Sequence, residues 1–289
     1  MPAPSVTGRP AGTARHEAAA RPALRVWPVD RLVLHEEVDA GRVRRLEQAL
    51  RRDGVLRHPP VVAALPDGRA VVLDGANRVS ALRGLGMPHA VVQSVRYADA
   101  GIVLSAWRHY VPDEGAGALR AAAAAVPFVR ATPVTGEAEA AARLGPAGGV
   151  AAIVDPAGAV LLTPAGGAGP AGALRRLAAL YYDGRPVHRV ADGGRDDLRA
   201  AYGPGALVVF RCFDKAEILT LAAAGRLLPA GITRHVIPGR VLRLNTPLAW
   251  LADRADLALK QAALEAQVSR RWAAHGVRYY AEPTFAFDE

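Results

Sequence analysis

Asp74-Gly75-Ala76-Asn77-Arg78 is the stretch of this chain best suited to holding an anion. Val71-Val72-Leu73 before it reads as a buried strand, and the apolar spacing through Leu82 and Leu85 after it reads as a helix. A glycine turn between strand and helix leaves the first helical N–H groups open, where the helix dipole favours negative charge. Arg78, one turn in, can add a charge-assisted bond to a phosphate. Asp74 suits two roles: capping the helix, or holding Mg²⁺ and assisting a transferring phosphate. The spacing is neither a P-loop nor G-x-G-x-x-G, and an ordinary strand-to-helix turn with a surface Arg has the same letters.

Two further groups carry chemistry. Glu36 and Glu37 follow Val33-Leu34-His35 and either open a helix or supply a general base. Thr233 and His235 lie two apart, so an extended segment projects both from one face, and Arg240 downstream can grip a carboxylate through two N–H groups. His35, His58, His109, His188 and His275 lack metal-ligand spacing, so no structural zinc is expected. Gly166-Gly167-Ala168-Gly169 lacks a following Lys-Ser/Thr and reads as a loop. Cys212, the one cysteine, sits in an apolar strand pattern and reads as a buried small hydrophobe in a reducing compartment.

The elements that must position these residues fall into two regions. Residues 1–24 are rich in Ala, Pro, Gly and Arg without periodicity and read as a disordered tail. Residues 25–98 read as one α/β domain. It has a helix over 41–50 with Val43, Leu46 and Leu50 on one face, a stop at Gly54, a strand from Val61 to Ala64, and the phosphate turn. Residues 99–289 read as a second, mixed α/β domain. A short helix is expected over 102–110, Ala-rich helices and loops over 114–206, and a hairpin joining 150–154 to 159–162 through Asp155-Pro156-Ala157-Gly158. A helix is expected over 171–182, a strand over 207–213 and a helix over 215–225. A short strand over 240–244 precedes one long helix from Pro247 to about residue 274, its apolar face at Leu248, Leu251, Leu257, Leu259 and Leu264.

The 289 residues carry a net charge of +9, which suits an anionic substrate or nucleic acid. Arg42, Arg44, Arg45, Arg51 and Arg52 are the densest basic group and read as a solvated helix face. No apolar run spans a bilayer, and the N-terminal segment has no secretory core, so a cytoplasmic protein is expected.

The order of elements around Asp74-Gly75-x-x-Arg78 resembles the ParB/sulfiredoxin-like fold, whose Gly-x-x-Arg turn holds nucleotide phosphates. Sulfiredoxins carry a cysteine in this turn, where Ala76 and Asn77 stand here. Several blocks are similar to the free L-serine kinases: Leu34-His35-Glu36-Glu37, Ser105-Ala106-Trp107-Arg108-His109, residues 227–245, and Glu282-Pro283-Thr284-Phe285-Ala286-Phe287-Asp288-Glu289. This resemblance implies a phosphotransferase that makes O-phospho-L-serine from L-serine, with siderophore or other specialised biosynthesis as its destination. ATP or ADP would be the donor, with Mg²⁺, and the site would lie in the cleft between the two domains. It implies Glu36 as base, with Glu37 the neighbouring alternative. Asp74 would be catalytic, and Asp74, Gly75, Ala76, Asn77 and Arg78 would hold the nucleotide. Trp107, Thr233, His235 and Arg240 would join Glu36 at the amino acid. A nucleotide-responsive DNA-binding regulator is the alternative, which the absence of a recognisable helix-turn-helix disfavours.

Overall fold

A computed structural model describes residues 21–112, 117–167, 169–182 and 186–280. The N-terminal tail to residue 20 and the terminal block 282–289 lie outside them. In the first region β1 (Leu24–Pro28) and β2 (Leu32–Leu34) precede α1 (Ala40–Asp53), β3 (Val55–Leu56), β4 (Val61–Ala64), β5 (Ala70–Asp74), α2 (Ala76–Gly84) and β6 (His89–Ser94). Asp39 caps α1 by accepting the Arg42 N–H, and Gly54 ends it in the left-handed region at φ 68°.

The first sheet has the order β1-β6-β4-β5-β2, and β2 runs parallel to β5. The continuous apolar letters of β5 follow from burial on both faces. Val62, Ala70 and Val72 face one core with Leu50, Val79 and Leu82 of the helices. Val61, Ala63, Val71 and Leu73 face the other core, shared with the second region. The helix ended by Gly54, the strand from Val61 to Ala64 and the glycine turn between β5 and α2 are those the sequence predicts.

The second region adds β7 (Val103–Ala106), β8 (Arg108–Pro112), α3 (Ala118–Ala124), β9 (Val129–Val134), α4 (Glu137–Ala142), β10 (Ala151–Asp155), β11 (Gly158–Pro164), α5 (Pro170–Tyr182), β12 (His188–Val190), α6 (Arg195–Tyr202), β13 (Gly205–Phe210) and α7 (Lys215–Ala223). Its sheet order is β12-β8-β13-β10-β11-β9. β14 (Thr233–Val236) then pairs with β7, and β15 (Thr246–Pro247), α8 (Leu248–Ala252) and α9 (Leu257–Ala273) complete the chain. A five-stranded sheet, a six-stranded sheet, two two-stranded pairs and the helices packed on them make a mixed α/β fold.

Several local expectations are corrected. Residues 102–110 form two strands rather than a helix, because their β-branched and aromatic side chains pair with β14 and β13. The Ala-rich stretch hides the strand β9. The hairpin turn is tighter than expected, since Asp155 and Gly158 pair with each other. Residues 240–244 form no strand: Arg243 and Asn245 adopt φ 53° and φ 55°, which a pleated strand does not allow. Cys212 is exposed, one residue beyond the buried Arg211.

The long C-terminal helix is two helices, with Asp256 capping the second through the Ala258 and Leu259 N–H groups. That break shifts the helical phase, so Leu259 faces solvent at 69% exposure while Leu264 is buried. Leu244, Leu251 and Leu264 pack into the core of the first sheet. A boundary at residue 98 puts these residues in the second domain; in the structure they cover the first.

Candidate active site

Asp74 ends β5, and Gly75 starts α2 from the left-handed region at φ 97°. The left-handed backbone favours glycine there, and a Cβ at residue 75 would stand 2.8 Å from Arg78 Nη2 and push the guanidinium aside. The first helical bond within α2 is Val79 N–H to Gly75 O, and the N–H groups of Ala76, Asn77 and Arg78 precede it. The buried Asn77 Oδ1 has no hydrogen-bond partner. Arg78 Nη1 donates to His58 O at 2.9 Å, and Arg78 Nη2 donates to Asp74 Oδ2. Arg240 Nη2 reaches the same Asp74 oxygen at 2.6 Å from the far end of the chain. One carboxylate oxygen therefore holds two guanidinium groups at the mouth of the turn.

Glu36 lies just beyond β2, beside β5. Its Oε2 accepts the Gly231 N–H at 2.8 Å. Its Oε1 accepts the Thr233 N–H at 2.5 Å and lies 2.6 Å from Thr233 Oγ1. An ionised carboxylate has about four acceptor positions, so these contacts leave one for a substrate proton. Glu37 points elsewhere: its Oε1 accepts from Arg175 Nε at 2.6 Å, in a pair with both side chains well exposed.

The loop that supplies those N–H groups is held from behind. Backbone bonds tie Leu228 N–H to His35 O and Glu37 N–H to Leu228 O, both at 2.8 Å. The buried His109 donates from Nε2 to Gly231 O at 2.8 Å, and its Nδ1 accepts from the Tyr181 hydroxyl at 3.0 Å. Burial pushes the His109 imidazole down to about 4, against the opposing pull of the Gly231 carbonyl, so it stays neutral. Tyr182 Oη–H and Arg189 Nη2 both donate to Ala230 O. Gly231 sits at φ 73°, and a Cβ there would collide with the Arg189 guanidinium at 2.4 Å.

Thr233 and His235 share one face of β14, as their spacing predicts. The His235 ring lies edge-on to His35, with centroids 5.3 Å apart, and its Nε2 accepts from the Tyr97 hydroxyl at 2.7 Å. Burial first, then the neighbouring His35 ring, pushes His235 down to about 3. Burial likewise raises the Tyr97 phenol, which stays a donor. Trp107 binds Ile232 O through its backbone N–H, and the Arg234 guanidinium lies 5.3 Å from its ring centre. Arg234 leaves β14 on the face opposite Thr233 and His235, so the contact given to Trp107 is with that other face.

The structure thus joins Glu36, Thr233 and His235 in one cluster, and Asp74, Gly75, Asn77, Arg78 and Arg240 in another. Both clusters lie at the ends of the parallel neighbours β2 and β5, where open α/β sheets bind ligands. The sequence reading missed the roles of His35 and Tyr97 and the props His109, Tyr181 and Tyr182. His35 carried one signal: it continues the alternation of β2 one residue before Glu36. Tyr97 carried none.

A curated relative is the ATP-dependent L-serine kinase SbnI of Staphylococcus aureus, 27% identical over 244 residues, spanning 81% of this chain and 86% of that protein. Another is the ATP-dependent L-serine kinase of Staphylothermus marinus, 32% identical over 80 residues, 27% of this chain and 32% of that protein. Among solved structures, a C-terminally truncated SbnI superposes with a TM-score of 0.69 over 88% of this chain and 97% of that one, at 24% identity. The fold is that of the free serine kinases. A free serine kinase in complex with AMP shares this kinase fold at a TM-score of 0.65 and 18% identity, over 79% of this chain and 93% of that one. No protein-family model matches the chain. None of the helices among the described residues is long and apolar enough to cross a membrane.

Proposed function

We propose that this protein is a free L-serine kinase that transfers a phosphoryl group from ATP to the serine hydroxyl, giving O-phospho-L-serine. One observation carries the reading: a carboxylate with an acceptor position to spare, Glu36, stands beside an arginine-rich glycine turn at the ends of two adjacent strands. Phosphoryl transfer needs that pairing. The protein must take a proton from the attacking hydroxyl and neutralise charge on the phosphates, and it needs little covalent chemistry of its own.

In this reading Glu36 accepts the serine proton. The N–H groups of Ala76, Asn77 and Arg78, with the Arg78 guanidinium, hold the nucleotide phosphates. Arg240 meets the serine carboxylate beside them, and Thr233 and His235 complete the amino-acid pocket. The glycine at 75 and the N–H groups of Ala76, Asn77 and Arg78 at the start of α2 fit a phosphate cradle. No three Asp, Glu, His or Cys side chains gather to hold a metal ion among the described residues. Asp74 is the carboxylate in reach, so Mg²⁺ would arrive with the nucleotide and take Asp74 as its protein ligand. It would neutralise phosphate charge there. ATP is the donor we favour, because both curated relatives are named ATP-dependent.

The test is direct. The folded protein is incubated with L-serine, Mg²⁺ and either ATP or ADP, and phosphoserine is sought by mass. Phosphoserine with ATP is the expected result. Its absence with both nucleotides overturns the kinase reading, and its formation with ADP alone overturns the choice of donor.

A further inference from the structure

The hydrogen bonds around Thr233 Oγ1 need one more proton than a neutral His35 and an ionised Glu36 supply. His35 is buried, and its Nδ1 lies 2.8 Å from Val72 O. A carbonyl only accepts, so Nδ1 carries a proton. His35 Nε2 lies 2.8 Å from Thr233 Oγ1, and that oxygen lies 2.6 Å from Glu36 Oε1. The hydroxyl has one proton, and two contacts require one each. With a neutral His35 and an ionised Glu36, one of the two contacts would set lone pair against lone pair.

One more proton resolves the conflict, and it has two places to sit. On Glu36 it would oppose the Gly231 and Thr233 N–H groups, which both donate to that carboxylate and favour its ionised form. On His35 Nε2 it completes every bond. Nδ1–H then donates to Val72 O, Nε2–H to Thr233 Oγ1, and the hydroxyl to Glu36 Oε1.

We propose that His35 is an imidazolium in the resting protein and acts as the positioning residue of Glu36, linked to it through the Thr233 hydroxyl. The inference rests on the reading of Glu36 as base. The charged groups around His35 agree with it. Glu36 supplies the compensating negative charge one residue away. On β14 the neutral His235 presents its ring edge, backed by the Tyr97 phenol, with Lys215 over the Tyr97 ring. The Asp74 carboxylate also acts electrostatically on His235. The consequence for the reaction is specific. The hydroxyl proton is committed to Oε1, so the proton lost by serine goes to the open position on Oε2. The serine O–H bond breaks as that O–H bond forms, and the serine oxygen uses the electron pair to bond the γ-phosphorus while the bond from that phosphorus to the bridging oxygen breaks and ADP leaves with its electrons.

The decisive measurement is made on the whole wild-type protein, with ¹⁵N-labelled histidine and nuclear magnetic resonance near neutral pH. Both ring nitrogens of His35, assigned by their loss in His35→Asn, should resonate as protonated. In Glu36→Gln the compensating charge is gone, and Nε2 should shift to the unprotonated position. His35→Asn should lower kcat roughly 10–100-fold, the scale of groups that orient a reacting ligand without touching substrate. Its KM for nucleotide should stay at the wild-type value. An unprotonated Nε2 in the wild-type protein overturns the proposal, even where phosphoserine is formed. A protonated Nε2 in a protein that makes no phosphoserine leaves the network standing and removes the kinase reading. If His35→Asn fails to fold, sequential assignment of the wild-type protein identifies the His35 ring signals, and the wild-type and Glu36→Gln spectra decide.

Discussion

Glu36 and Asp74 are both carboxylates at the ends of adjacent parallel strands, and they are held in opposite ways. Glu36 is gripped by two backbone N–H groups and a hydroxyl, on a loop propped by His109, Tyr182 and Arg189. Backbone donors on a propped loop do not turn away, so this half is preorganised. The Asp74 side chain is 32% exposed and, among the described residues, is held by the long side chains of Arg78 and Arg240. Guanidinium groups on flexible stems exchange one anion for another. The buried half sets the direction of a proton transfer, and the open half trades a protein carboxylate for a ligand's charge.

The sharpest way to break this comparison is Glu36→Gln. It keeps the shape of the buried half and removes the base, so turnover should fall about 10²–10⁴-fold with nucleotide affinity retained. Glu37→Gln loses only the exposed Arg175 pair and should stay near wild-type turnover. Steady-state kinetics on both variants checks this; the reverse pattern would move the base to Glu37.

The open half is tested by Arg78→Ala and Arg240→Ala. The first should mainly raise KM for nucleotide and the second KM for serine. Both guanidiniums share Asp74 Oδ2, so their combined effect should be non-additive by about 0.5–3 kcal/mol. Full additivity would mean that Asp74 does not link the two subsites. Gly75→Ala should cost about 1–2 kcal/mol of stability for the left-handed backbone and displace Arg78, weakening nucleotide binding. Chemical denaturation and nucleotide titration read the two effects.

The smallest effect concerns the props of the buried half. His109 and His235 stay neutral to about 4 and about 3, against an ordinary 6.5, chiefly through burial. Below the ordinary value the unfolded chain binds protons that the folded one refuses. The contribution of these two groups to stability should therefore fall as pH falls through this window. Melting temperatures of His35→Asn from about pH 7.5 to about pH 5, where the opposite contribution of a protonated His35 is removed, check the sign, and a rise on acidification would contradict it.

The open half was the more legible in sequence. Asp74-Gly75-x-x-Arg78 is local, and a strand, a left-handed glycine and a helix can be read from adjacent letters. The pairing of Glu36 with Thr233 joins positions 197 residues apart and could be named only through family resemblance. The alternation of Thr233 and His235 was readable because strand geometry is local. The two strands over 102–110 were missed because their partner β14 lies far along the chain. Leu259 was assigned to a buried face because the Asp256 cap, which resets the helical phase, was passed over.

The return of α9 to the first sheet has a consequence for how the protein is made. Gln261 accepts the Val26 N–H at 2.9 Å and donates to Leu24 O, so its side-chain amide closes the open edge of β1. That amide lies 235 residues downstream of the strand it covers. On the ribosome, β1 waits through most of translation with its backbone groups unmatched and the Leu264 contact missing. The first sheet to be synthesised is thus among the last parts to be finished, and its edge stays open to mispairing for that interval.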